Sequence, residues 1–243
     1  MNKDKAIRVT NFLKKFSPCD ISDSLVKHGF PNGGFFPNLQ VQSNFELPIV
    51  GEAYTVLYAP LDDPRPAISK SYIDSIPLNS VLIIATTQIL QLPYLPYTRI
   101  NNAMYGGLMS TRAKFQNCNG SIIFGRIRDI QEHNNLQYPV MSYGLGTTAP
   151  KPVLKLIGIN VQLEIVLNSY PNKTTLETID PGDLIIADEN GMVRIPISKI
   201  DDSTLENILD YIPKRVKADQ LVAEDINEGK EAAKSQKLRR SNL

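Results

Sequence analysis

The chain has 243 residues, with 26 Lys and Arg against 25 Asp and Glu, for a net charge of +1. That balance gives no global field to recruit nucleic acid or an anionic membrane, and no apolar run approaches membrane-spanning length. The proportions, 42% hydrophobic and 21% charged, are those of an ordinary globular protein long enough to bury a full core, so we expect one domain over 1–243.

The N-terminal segment MNKDKAIRVTNFLKKF lacks the apolar stretch of a secretory signal, and Val9, Phe12, Leu13 and Phe16 have helical spacing. The expectation is a packed helix and a cytoplasmic protein. Residues about 5–29 are predicted to form two helices broken near Ser17-Pro18, the second capped by Asp20 or Ser22 and carrying Ile21, Leu25 and Val26. Asn32-Gly33-Gly34 and Pro37-Asn38 mark turns. Ile49 to Ala59 alternates as a strand, and Val81 to Thr87 is a continuous apolar run of the kind buried on both faces of a sheet. Pro93 and Pro96 make 91–98 an irregular insertion. A helix is predicted from Gly107 to Gln116, then a turn at Asn119-Gly120 and a strand from Ser121 to Phe124.

From Tyr138 onward the pattern is β. Strands are predicted at Val140–Tyr143, Val161–Val166, Thr174–Thr178, Leu184–Ala187 and Val193–Ile195. Pro181-Gly182-Asp183 and Glu189-Asn190-Gly191 supply the turns between the last three. After Ser198 the chain reads as helical, with a long polar amphipathic segment from Pro213 to about Lys234. The basic end, Lys237 to Arg240, reads as a frayed, solvated tail. The strand–helix–strand order argues α/β with a largely buried sheet. Cys19 and Cys118 have no metal-ligand spacing and read as two buried thiols in a reducing compartment. The sequons at Asn119 and Asn172 are expected to be idle.

Chemistry concentrates in Ser121 to His133, SIIFGRIRDIQEH, and in Gly106-Gly107-Leu108-Met109 upstream. A β-rich run ends at a glycine and hands the chain to Arg128, Asp129 and Glu132. The glycine pair precedes a predicted helix, where free N–H groups can hold an anion. An arginine with hard oxygen ligands suits a small carboxylate bound with a divalent metal. Asp129-Ile-Gln-Glu132 also has the spacing of a helix capping box, which would explain both acids without any function. His133, next to Glu132, reads as a surface or capping residue, with a group supporting the site as the alternative. His28 is the only other histidine and no Cys/His cluster exists, so a zinc site is not expected. Walker A, GxGxxG, HExxH and GxSxG motifs are absent.

The blocks CDISDSL (19–25), GEAYTV (51–56), YGGLMST (105–111), GRIRDIQEH (125–133) and DPGDLIIADENGMVRIP (180–196) resemble the RraA-like family. That family contains the class II 4-hydroxy-4-methyl-2-oxoglutarate aldolases and the regulators of ribonuclease activity A. Fungal members look most similar, in FPNL, DDPRP and GRIRD. The resemblance implies a three-layer swivelling β/β/α fold with a core over about 19–196, N-terminal helices and a C-terminal helical extension over about 199–243. It also implies a homotrimer or hexamer with sites in clefts between subunits.

By the same resemblance, Asp129 holds Mg²⁺ or Mn²⁺, Arg128 binds the carboxylate of a small 2-oxo acid, and backbone amides of Gly107 to Met109 complete the pocket. The implied activity is metal-dependent aldol cleavage to pyruvate, with oxaloacetate decarboxylation through the shared pyruvate enolate. The alternative is a non-enzymatic regulator that binds a ribonuclease or helicase by protein contacts. One departure stands out. Many aldolases of the family have an acid 21 positions before the arginine, where this chain has Gly107. Here the extra acid is Glu132, and Glu224 or Asp225 of a neighbouring subunit is a further candidate to orient the catalytic water.

Overall fold

The computed structural model describes residues 2–44, 48–169 and 173–243. Helices α1 (Lys3–Leu13) and α2 (Pro18–Lys27) lead into two short strands, β1 (Phe35–Phe36) and β2 (Gln40–Val41). The central strands are β3 (Ile49–Pro60), β4 (Ser80–Thr86), β5 (Ala103–Tyr105), β6 (Gly120–Ile127) and β7 (Val140–Leu145). Helix α3 (Gly107–Phe115) lies between β5 and β6, and α4 (Ile130–Asn135) between β6 and β7. Then come β8 (Leu154–Ile159), the hairpin β9 (Leu163–Ser169) and β10 (Lys173–Ile179), strands β11 (Leu184–Asp188) and β12 (Gly191–Ile195), and helices α5 (Asp202–Asn227) and α6 (Ala232–Arg239).

Ten strands form one sheet in the order β1-β12-β11-β3-β4-β6-β7-β2, with β5 added to β6 and β8 to β3. The pairs β3–β4, β4–β6 and β6–β7 are parallel, whereas β11, β12 and β8 pair antiparallel. The mixed α/β class agrees with the reading from sequence.

The apolar runs form this sheet because both of its faces are covered. On β4, Val81 and Ile83 face one cluster together with Ile122, Phe124 and the hairpin residues Leu163, Ile165 and Leu167. Leu82 and Ile84 face the opposite cluster with Ile123, Ile127 and Ala113 of α3. A strand buried on both sides gains nothing from polar alternation, so it reads as a continuous apolar run. Truncating Leu82 or Ile84 to Ala is expected to cost about 2–5 kcal/mol. A third cluster packs α1, α2 and α5 through Leu13, Ile21, Leu25, Leu205, Ile208 and Ile212 onto Leu184, Ile186, Val193 and Ile195 of β11 and β12.

Several local expectations are corrected. The cap of α2 is Ser17, whose hydroxyl accepts from Asp20 N, while Asp20 is the reciprocal partner rather than the cap. Pro18 fits the first helical turn, where its missing N–H costs nothing. Strand β8 was not foreseen, and the strand expected at 161–166 runs from Leu163 to Ser169. Helix α5 starts at Asp202, capped by Asp201, and continues through Pro213. The basic end is no frayed tail: it forms α6, with Arg240 Nε donating to Asp219 at 2.6 Å. Cys118 is buried, but Cys19 is exposed. The Asn119 side chain donates to the carbonyls of Val50 and Asn79, and Asn172 lies outside the described residues.

Candidate active site

Strand β5 pairs in parallel with the end of β6, setting Tyr105 beside Ile127. The chain leaves β5 through Gly106 into α3 and leaves β6 through Arg128 into α4. The two helix starts are thereby brought together. The Arg128 amide donates to the Tyr105 carbonyl at 3.0 Å, locking the two exits.

Asp129 adopts the left-handed conformation, φ 64° and ψ 44°, with no side-chain cap on its own helix. For a non-glycine residue this conformation costs on the order of 1 kcal/mol. The capping-box reading is therefore corrected. Instead the Asp129 carboxylate crosses to the other helix, where Oδ2 accepts from Gly107 N at 3.1 Å. The Arg128 Nε stands 3.4 Å from the same oxygen, and Arg128 Nη1 reaches the Thr147 carbonyl at 3.4 Å. Both side chains are partly open to solvent, 40% for Arg128 and 35% for Asp129. In a group this accessible, a charge pair contributes little to stability.

Two glycines make this convergence possible. A Cβ on Gly106 would meet Asp129 Oδ2 at 2.7 Å and Arg128 Nε at 3.2 Å. A Cβ on Gly107 would meet Glu132 Oε2 at 1.8 Å. The Glu132 carboxylate thus fills the space into which a side chain at position 107 would grow. Arg128, Asp129 and Glu132 all line the same glycine pair.

The expected amide cradle is partly used already. Gly107 N is held by Asp129, and Met109 N donates to the Gly106 carbonyl at 3.0 Å. Leu108 points its side chain outward and is exposed, while Met109 packs against the apolar cluster beneath the sheet. His133 is neither surface nor cap: it is fully buried, and its Nε2 lies 2.7 Å from the Arg128 carbonyl. Burial pushes its imidazole below the ordinary value, against the opposing effect of that hydrogen bond.

The two acids proposed to reach in from α5 have separate fates. Asp225 is buried and takes Arg239 in a bidentate fork at 2.9 Å, Lys230 at 2.7 Å and Ser235 at 2.6 Å. These partners, Arg239 foremost, hold its carboxyl well below the usual range. Asp225 is thus committed within its own chain, and only Glu224 remains exposed.

A divalent cation needs little from such a site. Mg²⁺ keeps several waters and takes one or two carboxylates. Both recorded contacts of Asp129 fall on Oδ2, and Oδ1 has none among the described residues. An exposed carboxylate oxygen beside a second acid fits such an ion. No cluster of three or more His, Cys, Asp or Glu side chains forms among the described residues, so an all-protein cage is not what the site offers.

The family model described as RraA-like, Aldolase/RraA, matches residues 18–194. The chain belongs to the RraA-like family. The matched span contains Gly106, Gly107, Arg128, Asp129 and Glu132 and leaves out Glu224 and Asp225. Protein DlpA of Legionella pneumophila is 27% identical over 197 residues, covering 79% of this chain and 28% of that protein. The chain therefore spans less than a third of the length of this curated relative. Among solved structures, an uncharacterized protein from Pseudomonas syringae pv. tomato superposes with a TM-score of 0.73 at 23% identity, covering 95% of this chain and 98% of that one. Streptomyces coelicolor RraAS2, described as an unusual member of the RNase ES inhibitor RraA protein family, superposes with a TM-score of 0.64 at 17% identity over 92% and 96% of the two chains. At these identities both likenesses establish the fold. No helix among the described residues is long and apolar enough to cross a membrane.

Proposed function

We propose that the cleft at the ends of β5 and β6 is the site of a divalent-metal-dependent aldolase that releases pyruvate from 4-hydroxy-4-methyl-2-oxoglutarate-type substrates, and that also decarboxylates oxaloacetate. The observation that supports this reading best is the Glu132 carboxylate lodged against Gly107. It returns an acid to the place where this chain departs from the aldolase pattern. An arginine, a carboxylate with an oxygen left unbonded and a second carboxylate then stand against one glycine pair.

In this reading Arg128 pairs with the substrate carboxylate and orients it, as a guanidinium fork does well. The C3–C4 bond breaks, its electrons pass to the C2 carbonyl to give an enolate, and the C4 hydroxyl gives up its proton. Glu132 is the acid proposed to accept that proton, directly or through a water. Returning a proton to C3 completes pyruvate. Loss of carbon dioxide from oxaloacetate produces the same enolate, so Arg128 serves both reactions. Asp129 would hold a Mg²⁺ or Mn²⁺ ion, which when bound would supply positive charge for the developing negative oxygen.

Leu108 and Phe115 are exposed, seven residues apart and so on one face of α3, Leu108 in the turn next to the glycine pair and Phe115 at the helix's far end. Apolar groups in that position suit coverage by another copy, and a homotrimer or hexamer with the cleft between subunits is part of the proposal. The same two residues favour the second reading, a regulator that docks a ribonuclease or helicase there. Pyruvate release from oxaloacetate and from 4-hydroxy-4-methyl-2-oxoglutarate, with and without EDTA, decides between them. Release that EDTA abolishes is expected, and no release from either substrate removes the aldolase reading.

A further inference from the structure

His133 is a buried imidazole that the proposed reaction does not use. It sits one turn into α4, fully buried, with its ring stacked on Tyr105 at 5.9 Å between centroids and 19° between planes. A carbonyl oxygen can only accept, so the 2.7 Å contact to Arg128 O requires the proton on Nε2. The other ring nitrogen, Nδ1, has no hydrogen-bond partner among the described residues. A histidine so placed is a poor base for substrate: one nitrogen is committed to backbone and the other is sealed off.

Its contacts instead complete a clamp. The Arg128 amide is held by the Tyr105 carbonyl at 3.0 Å, and the Arg128 carbonyl by His133. The residue between these peptide groups carries the guanidinium. The residue after it, Asp129, is the one forced into the left-handed region. Rotating the 128–129 peptide would release the His133 bond and swing the Asp129 carboxylate away from Gly107 N. Tyr105 braces the imidazole and is itself fixed, its hydroxyl accepting from Ser110 at 3.2 Å and Ser121 at 3.0 Å.

We infer that His133 is a positioning residue: by donating from Nε2 to the Arg128 carbonyl it holds the 128–129 peptide so that Arg128 and Asp129 face one cleft. The role rests on the aldolase reading, but the geometry it predicts can be tested apart from it. His133→Phe keeps the ring and the stack but loses the donor. His133→Gln loses the ring but keeps an N–H within reach of the carbonyl.

Two measurements on the 243-residue chain separate the possibilities. One is kcat and KM for Mg²⁺-dependent pyruvate release from oxaloacetate. The other is the ¹⁵N–¹H resonance of the Gly107 amide in glycine-labelled protein, which reports its bond to Asp129 without any turnover. His133→Phe is expected to displace that resonance and to lower kcat by ~tenfold or more, since small misplacements of reacting groups are costly. His133→Gln is expected to restore both. A His133→Phe protein with wild-type kcat and an unmoved Gly107 resonance overturns the proposal. If His133→Phe does not fold, His133→Gln alone decides: a displaced resonance with depressed kcat overturns it. If wild-type protein releases no pyruvate, the aldolase reading falls, and the resonance still shows whether His133 holds the peptide.

Discussion

Glu132 and Gly107 compete for one volume: Oε2 of the acid lies 1.8 Å from where a Cβ on the glycine would stand. The two positions are 25 residues apart in sequence and adjoin in space because β5 and β6 pair and send their helices off side by side. A side chain at position 107 and the Glu132 carboxylate would fill the same space, and both cannot fit unmoved.

That exclusion gives a reciprocal test. Gly107→Asp alone is expected to lose activity, because its side chain meets Glu132. The double exchange Gly107→Asp with Glu132→Gly is expected to recover a substantial part of it. Pyruvate release by these two variants and by Glu132→Gly alone measures this. A double variant no better than Glu132→Gly alone would show that the two acids are not interchangeable.

For Arg128, charge alone is not enough. Lysine is a point charge and cannot reproduce a two-pronged carboxylate contact. Arg128→Lys should reduce kcat/KM by ~tenfold or more, corresponding to ~1.4 kcal/mol of transition-state stabilisation. Steady-state kinetics near the wild-type value would remove Arg128 from the site.

Asp129 is tied to Gly107 N and is the proposed metal ligand, and activity and thermal stability read the two roles separately. Asp129→Ala removes the proposed metal ligand and also the acceptor for Gly107 N. A lost hydrogen bond of about 1 kcal/mol lowers the melting temperature of a chain this size by roughly 2–4 °C. Activity is expected to vanish and to stay absent with excess Mg²⁺. Retained activity with the same small thermal shift would leave Asp129 only its tie to α3.

The Asp225 cluster carries a pH dependence of definite sign. Its folded-state carboxyl is held below the usual value by Arg239, Lys230 and Ser235. A depressed pKa contributes stability that is fully present above the unfolded value of about 3.9 and is lost as pH falls toward the folded one. The α5–α6 contact should therefore loosen in acid, below about pH 4. Hydrogen exchange of the α6 amides follows this directly. Asp225→Asn should show the loosened behaviour at neutral pH, and identical exchange in both proteins would mean that α6 is held by other contacts.

Glu224 is the one acid of the α5 pair free to act in a neighbouring subunit. If it does, Glu224→Ala and Arg128→Ala chains, each inactive alone, should regain activity when refolded together. Absence of recovery in mixed assemblies confirmed by mass would confine the chemistry to Arg128, Asp129 and Glu132.

The sheet strands were readable because their signal is local: Val81 to Thr87 and Ser121 to Phe124 are apolar where both faces are covered. The candidate site was readable as residue types, but its geometry was not. Asp129 and Glu132 have capping-box spacing, and what overrides it is Gly107, brought in by strand pairing that no nearby residue announces. His133 misled for the same reason, since a lone histidine in a polar stretch carries no mark of the tyrosine it stacks upon. Ser17 was a detectable miss, because Ser-Pro-Cys-Asp has the required cap spacing and a proline where a first turn accepts it. The tail misled because Lys237 to Arg240 reads as solvated until Asp219 and Asp225 are placed opposite it.

Every group assigned to the cleft, from Tyr105 to His133, lies within one strand–helix–strand–helix crossover, while the α1, α2 and α5 cluster packs on β11 and β12. Changes in the crossover and changes in that cluster share few partners, so their energetic effects should add. The two helix starts, 105–109 and 128–133, can therefore be varied together between relatives, while β6, buried on both faces, and the remote helices keep the scaffold.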